Sequence, residues 1–354
     1  MKVVVAGGGT AGHIEPALNV ADAIRQRHPQ AQIVALGTVR GLETSLVPSR
    51  GYQLELIEAV PLPRKPDASL FALPRKLRTA IKQCRQVLAG ADALIGFGGY
   101  VALPAYLAAR GRVPIIVHEA NARAGLANRV GAKFATAVVE TVAGSLPGAR
   151  RIGIPLRANL ANFDRTHLRE QARAHFNLTA QTPVLLVFGG SQGAVKLNTV
   201  LQTCRDQGLL TNVQVIHAVG VKNPLPEADS QTYHALAYID RMDLAYAAAD
   251  FVIARSGAMT VAELSTVGLP ACYVPLPIGN GEQRLNAQPV VAAGGALCIS
   301  DADFTAEYVA REILPILQHP DQLALMAKKT AELGNPDASA QIADLVDQVI
   351  AGSR

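Results

Sequence analysis

Two glycine-rich segments contain the residue types that could bind a phosphate or support acid–base chemistry. The first, GGGTAGH at residues 7–13, follows the apolar run 3–6. The second, GGSQGA at residues 189–194, follows the apolar run 184–188. Glycine lets backbone N–H groups approach a ligand at torsions that other residues resist. An apolar strand, a glycine turn and a helix start form the half-unit of nucleotide-binding α/β domains, so the pair predicts two such domains.

His13 is the candidate for acid–base chemistry in the first segment, because it directly follows Gly12 at a predicted helix start. The positive end of a helix lowers the pKa of a histidine and favours its neutral form, which suits a general base. A histidine that only caps the helix or hydrogen-bonds a neighbouring loop is the alternative. The sequence leaves both roles open.

Gly7, Gly9 and Gly12 also satisfy G-x-G-x-x-G, so an NAD(P)-dependent oxidoreductase is one alternative function. A dinucleotide-binding fold places an acid about 20 residues further on, after the second strand, to hold a ribose hydroxyl. Here that strand ends in the sequence ALGT at residues 35–38, and only Arg40 could serve an NADP phosphate. The missing acid disfavours the oxidoreductase.

The second segment predicts an anion site, with Ser191 at a helix N-terminus where free N–H groups favour a phosphate. A plain strand-to-helix turn is the alternative. Neither segment has the G-x-x-x-x-G-K-[ST] pattern, so we do not expect an ATP-hydrolysing P-loop. Residues 250–263 repeat the strand, small-residue turn and helix start. Glu263, one turn into that helix, could accept hydrogen bonds from both ribose hydroxyls, or could only compensate the helix dipole.

Two further polar segments follow. Residues 277–287 come after a strand, and their amides could bind sugar hydroxyls, although alone they would be a surface loop. Asp301 and Asp303 match the D-x-D pattern with which one class of sugar transferases holds a divalent metal. No other ligand cluster accompanies them, so we expect a turn and helix cap and no metal requirement.

The bulk composition indicates a folded protein of two domains. Of 354 residues, 49% are hydrophobic and only 17% are charged, which argues against disorder. No apolar run reaches the roughly 18 residues that a membrane-spanning helix needs. The N-terminus leaves no room for a signal-peptide core. The four cysteines show no C-x-x-C spacing, which fits reduced thiols rather than a zinc site or disulfides.

Strand-like and helix-like stretches alternate along the chain, which predicts doubly wound parallel sheets. We expect strands near 2–6, 32–36, 54–58, 93–97, 114–118, 135–139, 183–188, 213–217, 234–237, 250–254 and 271–274. We expect helices near 14–28, 42–50, 74–89, 101–110, 124–132, 194–204, 242–249, 259–267, 284–294, 305–318 and 320–333. Pro155 marks a domain boundary, which gives domains 1–155 and 156–337. A last helix at about 338–354 is expected to pack back on the first domain.

Taken together, the motifs resemble the MurG family of bacterial N-acetylglucosaminyltransferases over nearly the whole chain. The resemblance rests on eight segments in order: GGGTAGH (7–13), GFGGYVALPA (96–105), HEANARAGLANR (118–129), GIPLR (153–157), GGSQGA (189–194), YIDRM (238–242), RSGAMTVAE (255–263) and GEQRLNA (281–287). It implies an α/β GT-B fold, in which two Rossmann-like doubly wound domains face a cleft, with no metal and no cofactor. It also implies transfer of GlcNAc from UDP-GlcNAc to lipid I, which forms lipid II in peptidoglycan synthesis.

The resemblance assigns site residues by position. Thr10, Ala11 and Gly12 correspond to the loop near the donor pyrophosphate and the reacting centre. The remaining contacts are Asn121 to the donor sugar, Arg157 and Ser191 to phosphate, Ile239 to uracil through its backbone, the run Ala258, Met259, Thr260, Val261, Ala262 and Glu263 to pyrophosphate and ribose, and Gln283 to the GlcNAc hydroxyls. Ala11 departs from the family, in which many members have glycine at this position.

The chemistry of this family inverts the anomeric carbon in one step, from an α-linked UDP-sugar to a β-linked product. The attacking 4-hydroxyl of muramic acid needs a base, and the departing UDP needs its charge stabilised. Our hypothesis is that His13 is the base and that helix N-termini and Arg157 stabilise UDP. His118 and Glu119 are the rival candidates for the base. A UDP-sugar epimerase-like protein is the further alternative, because epimerases have twin Rossmann halves and a UDP site.

One basic window accounts for the net charge of +5. Residues 61–88 contain seven Lys or Arg and one acid, so the window is +6 and the rest of the chain is −1. Leu73, Leu77, Ile81, Cys84 and Leu88 recur at helical spacing, as in a surface helix packed on its sheet. Leu70 and Phe71, beside Arg64 and Lys65, favour an additional role in docking. We therefore expect a patch around 64–85 to bind an anionic membrane at the cytoplasmic face, peripherally, and no nucleic acid.

Overall fold

The structure, a computed structural model, describes residues 1–60, 69–226, 232–278 and 280–353, and only the backbone of residues 69–72. Contacts within the chain divide it into two units. The first comprises Met1–Ala158 with Pro336–Arg354, and the second comprises Asn159–Asn335.

The first unit is built on a parallel sheet. Its strands are β1 (Lys2–Gly7), β2 (Gln32–Gly37), β3 (Gln53–Leu56), β4 (Ala93–Gly98), β5 (Ile115–Glu119), β6 (Ala137–Glu140) and β7 (Arg150–Arg151). Their spatial order is β3-β2-β1-β4-β5-β6-β7. The helices between them are α1 (Ala11–Arg27), α2 (Glu43–Ser49), α3 (Ser69–Val87), α4 (Ala102–Ala109) and α5 (Leu126–Gly131).

The central strands of this sheet are apolar throughout because helices cover both of their faces. Val3, Val5 and Ile95 pack with Ile14 and Leu18 of α1 on one face. A second cluster on the other face contains residues of α3 and α4. This two-sided burial explains why β1 and β4 are continuous hydrophobic runs in the sequence rather than alternating ones.

The second unit repeats the plan. After α6 (Ala158–Ala161) and α7 (Arg165–His175) come β8 (Val184–Phe188), α8 (Val195–Asp206), β9 (Gln214–Ala218), β10 (Tyr233–Leu236), α9 (Met242–Ala248), β11 (Phe251–Ala254), α10 (Ala258–Thr266), β12 (Ala271–Tyr273), α11 (Glu282–Ala292), β13 (Ala296–Cys298), α12 (Ala306–Tyr308), α13 (Leu314–Leu317) and α14 (Pro320–Ala331). A π-helical stretch, Val309–Ile313, joins α12 to α13. The parallel sheet has the order β10-β9-β8-β11-β12-β13.

The chain ends in α15 (Ala338–Ala351), which packs on α1 of the first unit. Ile342 and Val346 lie in the same core cluster as Val3 and Ile14. The Nε2 atom of His28 lies 2.9 Å from the Oδ1 atom of Asp347. The apolar face of α15 therefore completes the hydrophobic core of the N-terminal sheet.

Both sheets reverse their strand order beside their first strand, between β1 and β4 and between β8 and β11. In open α/β sheets, ligands bind outside the carboxyl ends of the strands at such a switch point. The two glycine segments follow β1 and β8, so each lies at the switch point of its own sheet. The predicted α/β class with two doubly wound Rossmann-like domains is confirmed.

Four elements were not predicted from the sequence: β7, β13, α6 and α7. The two strands span two and three residues, too few for a periodic signal. Helix α7 has the sequence RTHLREQARAH, with little apolar periodicity, and is fixed by charge instead. Arg165, Arg169 and Arg173 pair with Asp250, which also accepts the N–H group of Val184 at 2.9 Å. The predicted helix 305–318 is interrupted by the π-helical stretch.

Candidate functional site

The first glycine segment forms a tight turn from β1 into α1. Thr10 is the N-cap of α1 and has an extended backbone, and Gly9 has a φ of +92°. A Cβ atom on Gly7 would lie 2.3 Å from the carbonyl oxygen of His13, so the turn can close only over a glycine. Thr10, Ala11, Gly12 and His13 are consecutive at this helix start, as predicted.

His13 lies in the first turn of α1, where its backbone N–H group donates to the carbonyl of Thr10 at 3.0 Å. Its ring packs on the end of β4, because a Cβ atom on Gly98 would lie 3.2 Å from Cε1. Burial lowers the pKa of His13, and the backbone of Phe97 acts in the opposite direction. His13 is therefore neutral near pH 7 and able to accept a proton.

The rival candidates, His118 and Glu119, are buried at the end of β5. The Nε2 atom of His118 lies 2.8 Å from the carbonyl oxygen of Gly153, and burial lowers the pKa of His118 to about 4. Glu119 accepts hydrogen bonds through both carboxylate oxygens, from the Asn121 N–H at 2.9 Å and from the Asn128 side chain at 2.9 Å. These contacts fix the loop that contains Asn121.

Arg157 is held against α1. Its Nε and Nη2 atoms contact the two carboxylate oxygens of Glu15, at 3.1 and 2.5 Å. Glu15 lies two residues after His13, and the Arg157 side chain remains 54% exposed. The structure thus brings Arg157 to the same end of α1 as the first glycine segment.

The second glycine segment, residues 189–194, connects β8 to α8. Helix α8 begins at Val195 with Ala194 as its N-cap, so Ser191 lies in the turn before the helix rather than at its N-terminus. Ser191 is exposed. Gly193 has a φ of +73°, and a Cβ atom on it would lie 1.9 Å from the carbonyl oxygen of Val219. The turn therefore packs directly on the chain that follows β9.

A series of hydrogen bonds between largely buried side chains supports this contact. The side-chain N–H group of Asn198 donates to the Val219 carbonyl at 3.0 Å, so its Oδ1 atom faces Nε2 of His217, also at 3.0 Å. His217 therefore donates from Nε2, and in its neutral form it accepts the hydroxyl of Tyr233 at Nδ1, at 2.6 Å. Burial lowers the pKa of His217 and so favours this neutral form. The sequence offered no local signal for it, because its members are far apart along the chain.

We expect His217 to make the stability of the protein depend on pH. Burial and the nearby Arg205 lower its pKa to about 4, against 6.5 for an unperturbed histidine. The unfolded chain therefore binds a proton first as the pH falls. Above pH 6.5 His217 is neutral in both states, and its contribution to the free energy of unfolding is fully present. As the pH falls towards 4, this contribution is lost, by roughly 2 kcal/mol between pH 7 and pH 5.

Urea unfolding of the wild type and of His217→Gln at both pH values measures this effect. In His217→Gln, the free energy of unfolding should not show this fall between pH 7 and pH 5. In His28→Gln, which replaces a histidine at the surface, the fall should remain. An unchanged pH dependence in His217→Gln would assign the effect to other groups.

The third segment starts α10 after β11. Gly257 is the N-cap, no side chain caps this helix start, and Ala258, Met259, Thr260, Val261 and Ala262 form its first turns. The Oε2 atom of Glu263 accepts the hydroxyl of Tyr246 at 2.7 Å. This contact orients the carboxylate predicted to hold the ribose, and no motif in the sequence pointed to Tyr246.

Ile239 and Gln283 lie on separate loops of the same unit. The Ile239 side chain is buried, in the loop between β10 and α9. Gln283, in the first turn of α11, accepts the Leu276 N–H group through Oε1 at 3.0 Å. The structure places each of these residues beyond the carboxyl end of a strand, where the sheet topology allows a ligand.

The D-x-D segment has a structural role. Asp301 forms an ion pair with Arg255, at 2.5 Å from Nη1, and the same guanidinium donates to the carbonyl of Val274 at 3.0 Å. Asp303 pairs with Ser300. The prediction of a helix cap here was wrong, because Thr305 caps α12 instead. In the part of the chain that the structure describes, no three His, Cys, Asp or Glu side chains form a metal-binding group.

The basic window is described in part. Arg64 and Lys65, and the side chains of Leu70 and Phe71, lie outside the described residues. Cys84 of α3 and Leu88, the residue after this helix, pack in the core, and Ile81 of α3 packs against it. The side chains of Arg75, Lys76, Arg78, Lys82 and Arg85 are exposed. No described helix is both long and apolar enough to cross a bilayer.

Comparison with known proteins identifies the family. Residues 3–140 match the N-terminal domain of glycosyltransferase family 28, and residues 184–342 match its C-terminal domain. A relative from Saccharopolyspora erythraea, named UDP-N-acetylglucosamine--N-acetylmuramyl-(pentapeptide) pyrophosphoryl-undecaprenol N-acetylglucosamine transferase, is 57% identical over 98% of this chain and 94% of its own. A relative of the same name from Streptomyces avermitilis is 56% identical over 99% of each chain.

Solved structures of other proteins also match the fold of this chain. The crystal structure of Acinetobacter baumannii MurG superimposes with a TM-score of 0.80 at 29% identity, and covers 98% of this chain and 99% of that one. The UDP-GlcNAc 2-epimerase of Neisseria meningitidis superimposes with a TM-score of 0.67 at 15% identity over 97% of this chain and 99% of its own. That likeness shows a shared fold alone. The chain belongs to glycosyltransferase family 28, and it is similar to the MurG enzymes over nearly its whole length.

Proposed function

We propose that this chain transfers N-acetylglucosamine from UDP-GlcNAc to the 4-hydroxyl of the muramic acid of lipid I, which forms lipid II. The observation that carries the proposal is the 57% identity, over 98% of the chain, to a relative named for this transfer. The switch-point position of the site segments in each sheet supports it.

The second unit supplies the donor contacts in this proposal. The free N–H groups at the start of α10 and the turn that contains Ser191 bind the pyrophosphate. Glu263, oriented by Tyr246, accepts the ribose hydroxyls. The backbone of Ile239 meets the uracil, and Gln283 binds hydroxyls of the GlcNAc. The first unit contributes Asn121, on the loop fixed by Glu119, as a further contact to the sugar.

The reaction is a single displacement. His13 takes the proton of the 4-hydroxyl while that oxygen forms a bond to the anomeric carbon. The bond from the anomeric carbon to the UDP oxygen breaks at the same time, and the bonding electrons leave with UDP. Arg157 and the N–H groups of the Thr10–Gly12 turn and of the helix starts stabilise the charge that develops on UDP. Attack opposite the leaving group converts the α-linked donor to a β-linked product.

Release of UDP tests the proposal. UDP is measured after incubation with UDP-GlcNAc, with and without a lipid I analogue. We expect release only when the acceptor is present. Release or epimerisation without acceptor would support a UDP-sugar epimerase, and turnover of NAD(P)H without UDP release would support an oxidoreductase.

We also propose that the enzyme is peripheral at the cytoplasmic face of the plasma membrane, because its acceptor is a membrane-anchored pyrophosphate. The exposed cations of α3 face solvent, and the helix contains no acid. Such a surface is attracted to anionic lipid headgroups.

Changing Lys76, Arg78 and Lys82 to glutamine should weaken binding to anionic vesicles about 100-fold, since each basic residue near such a surface contributes about a factor of five. Co-sedimentation with vesicles that contain phosphatidylglycerol measures this binding. Glutamine at three other exposed cations, Lys133, Arg311 and Lys328, serves as the control and should change binding much less. Equal effects of the two triple variants would refute a docking role for α3.

A further inference from the structure

Glu43 is a buried carboxylate that none of the roles above uses. It is the first residue of α2, and none of its surface is exposed to solvent. Within the described parts of the chain, no Lys, Arg or His forms an ion pair with it. A buried charge without a counter-ion is tolerated only when several hydrogen bonds satisfy it. The donors that surround Glu43 therefore indicate what it does.

Those donors belong to two segments at the carboxyl ends of β1 and β2. Oε2 accepts the N–H group of Gly9 at 3.1 Å. Oε1 accepts both the N–H group and the hydroxyl of Thr38, at 2.7 and 3.1 Å. An ionised carboxylate can only accept hydrogen bonds, and all three of these partners donate one, so they match the charged form. Glu43 thus ties the first glycine segment to the end of the neighbouring strand.

The glycines around Glu43 leave room for this contact. A Cβ atom on Gly41 would lie 1.9 Å from Oε2, and one on Gly37 would lie 2.4 Å from Cγ. A Cβ atom on Gly8 would lie 3.3 Å from Oε1. Any side chain at Gly37 or Gly41 would displace the carboxylate. The space occupied by Glu43 is therefore built into the local sequence.

The carboxylate contacts the first glycine turn at Gly9, the residue before the N-cap Thr10. A glycine turn before a helix offers N–H groups and a positive dipole end, and related folds use them to bind phosphate. Helix α1 has no acid in its first turn to compensate this end. Glu43 supplies the negative charge from another helix and takes the Gly9 N–H group. In the second unit, by contrast, no described carboxylate hydrogen-bonds residues 189–194.

We propose that Glu43 is a positioning residue, whose carboxylate ties Gly9 to the end of β2 and so holds Thr10 to His13 in place for transfer. This inference rests on the proposed function.

Glu43→Gln separates the two halves of the contact. The carboxamide oxygen can still accept from Thr38, but the amide N–H₂ group then faces the Gly9 N–H group, and two donors cannot bond. We expect the glycine turn to be released while the end of β2 stays in place. Glu140→Gln is the matched control, because Glu140 is also buried and accepts from Gly144, Ser145 and Leu146 in a loop that has no role in the proposed reaction.

Three measurements on the full chain test the proposal. In Glu43→Gln, backbone hydrogen exchange of residues 7–13 should accelerate, and kcat should fall about 10- to 100-fold through the lost charge-assisted hydrogen bond. The Kd for UDP should stay within about twofold, because the uracil and ribose contacts proposed above lie in the second unit. Glu140→Gln should change none of the three. If Glu43→Gln is insoluble, Glu43→Asp carries the same expectations, since it is one methylene too short to reach both partners.

Unchanged exchange of residues 7–13 in Glu43→Gln would overturn the proposal, as would unchanged kcat. A parallel loss of UDP binding and turnover would reduce Glu43 to a general folding role, and an equal effect of Glu140→Gln would do the same. If the proposed function itself is wrong, the wild type transfers no GlcNAc to lipid I, yet the hydrogen exchange still decides whether Glu43 holds the turn.

Discussion

Replacing His13 with alanine should lower kcat for GlcNAc transfer by about 10²- to 10⁴-fold, the usual contribution of a positioned general base. The Kd for UDP should not change, because the imidazole acts only on the acceptor hydroxyl. Burial lowers the pKa of His13, so the wild-type kcat/KM should fall only on the acid side of pH 6.5. That acid limb should disappear in the variant, because no neutral imidazole remains to be protonated.

Transfer kinetics between pH 5 and pH 8, with UDP binding measured by calorimetry, check this prediction. His28→Ala is the control, since His28 lies at the other end of α1 and should leave kcat unchanged. Near-normal turnover in His13→Ala, together with loss of turnover in a folded His118→Ala or Glu119→Ala variant, would transfer the role of base to the pair at the end of β5.

Replacing Gly193 with alanine should weaken UDP binding about 10- to 100-fold, because its Cβ atom would overlap the Val219 carbonyl and push the second glycine turn off the end of β9. The backbone at Gly193 also has a positive φ, which adds torsional strain. Both effects displace the turn that contains Ser191, and with it the proposed phosphate contact.

Gly208→Ala is a control that separates the effect of the steric overlap from the effect of the positive φ. Gly208 has a φ of +66° and open space where its Cβ atom would lie, in the same unit. This control should reduce stability slightly and leave the Kd for UDP within about twofold. Calorimetric titration with UDP measures both variants. Equal Kd values for the two variants would show that contact between the turn and Val219 does not shape the nucleotide site.

Local patterns in the sequence were sufficient to predict most of the framework. Apolar runs located the central strands, and the glycines after β1 and β8 located the turns at the two switch points. These signals are local because a strand buried on both faces must be apolar, and a turn that packs against backbone must be glycine.

The contacts that support the site could not be predicted in this way, because they join residues far apart in the chain. Glu15 meets Arg157 across 142 positions, and Gly9 meets Glu43 across 34. In the sequence, Asp301 is half of a D-x-D pattern that can bind a metal. In the structure, it forms an ion pair with Arg255. A single sequence shows which residues are charged, but only the folded chain shows which partner each charge has.

Mass spectrometry of the lipid fraction, after incubation of the chain with UDP-GlcNAc and lipid I, tests the proposed transfer most directly. We expect a lipid product heavier than lipid I by one N-acetylhexosamine residue, formed in equal amount to the UDP released and cleaved by a β-specific hexosaminidase. A lipid fraction of unchanged mass, with UDP-GlcNAc consumed or epimerised, would contradict the proposed transfer.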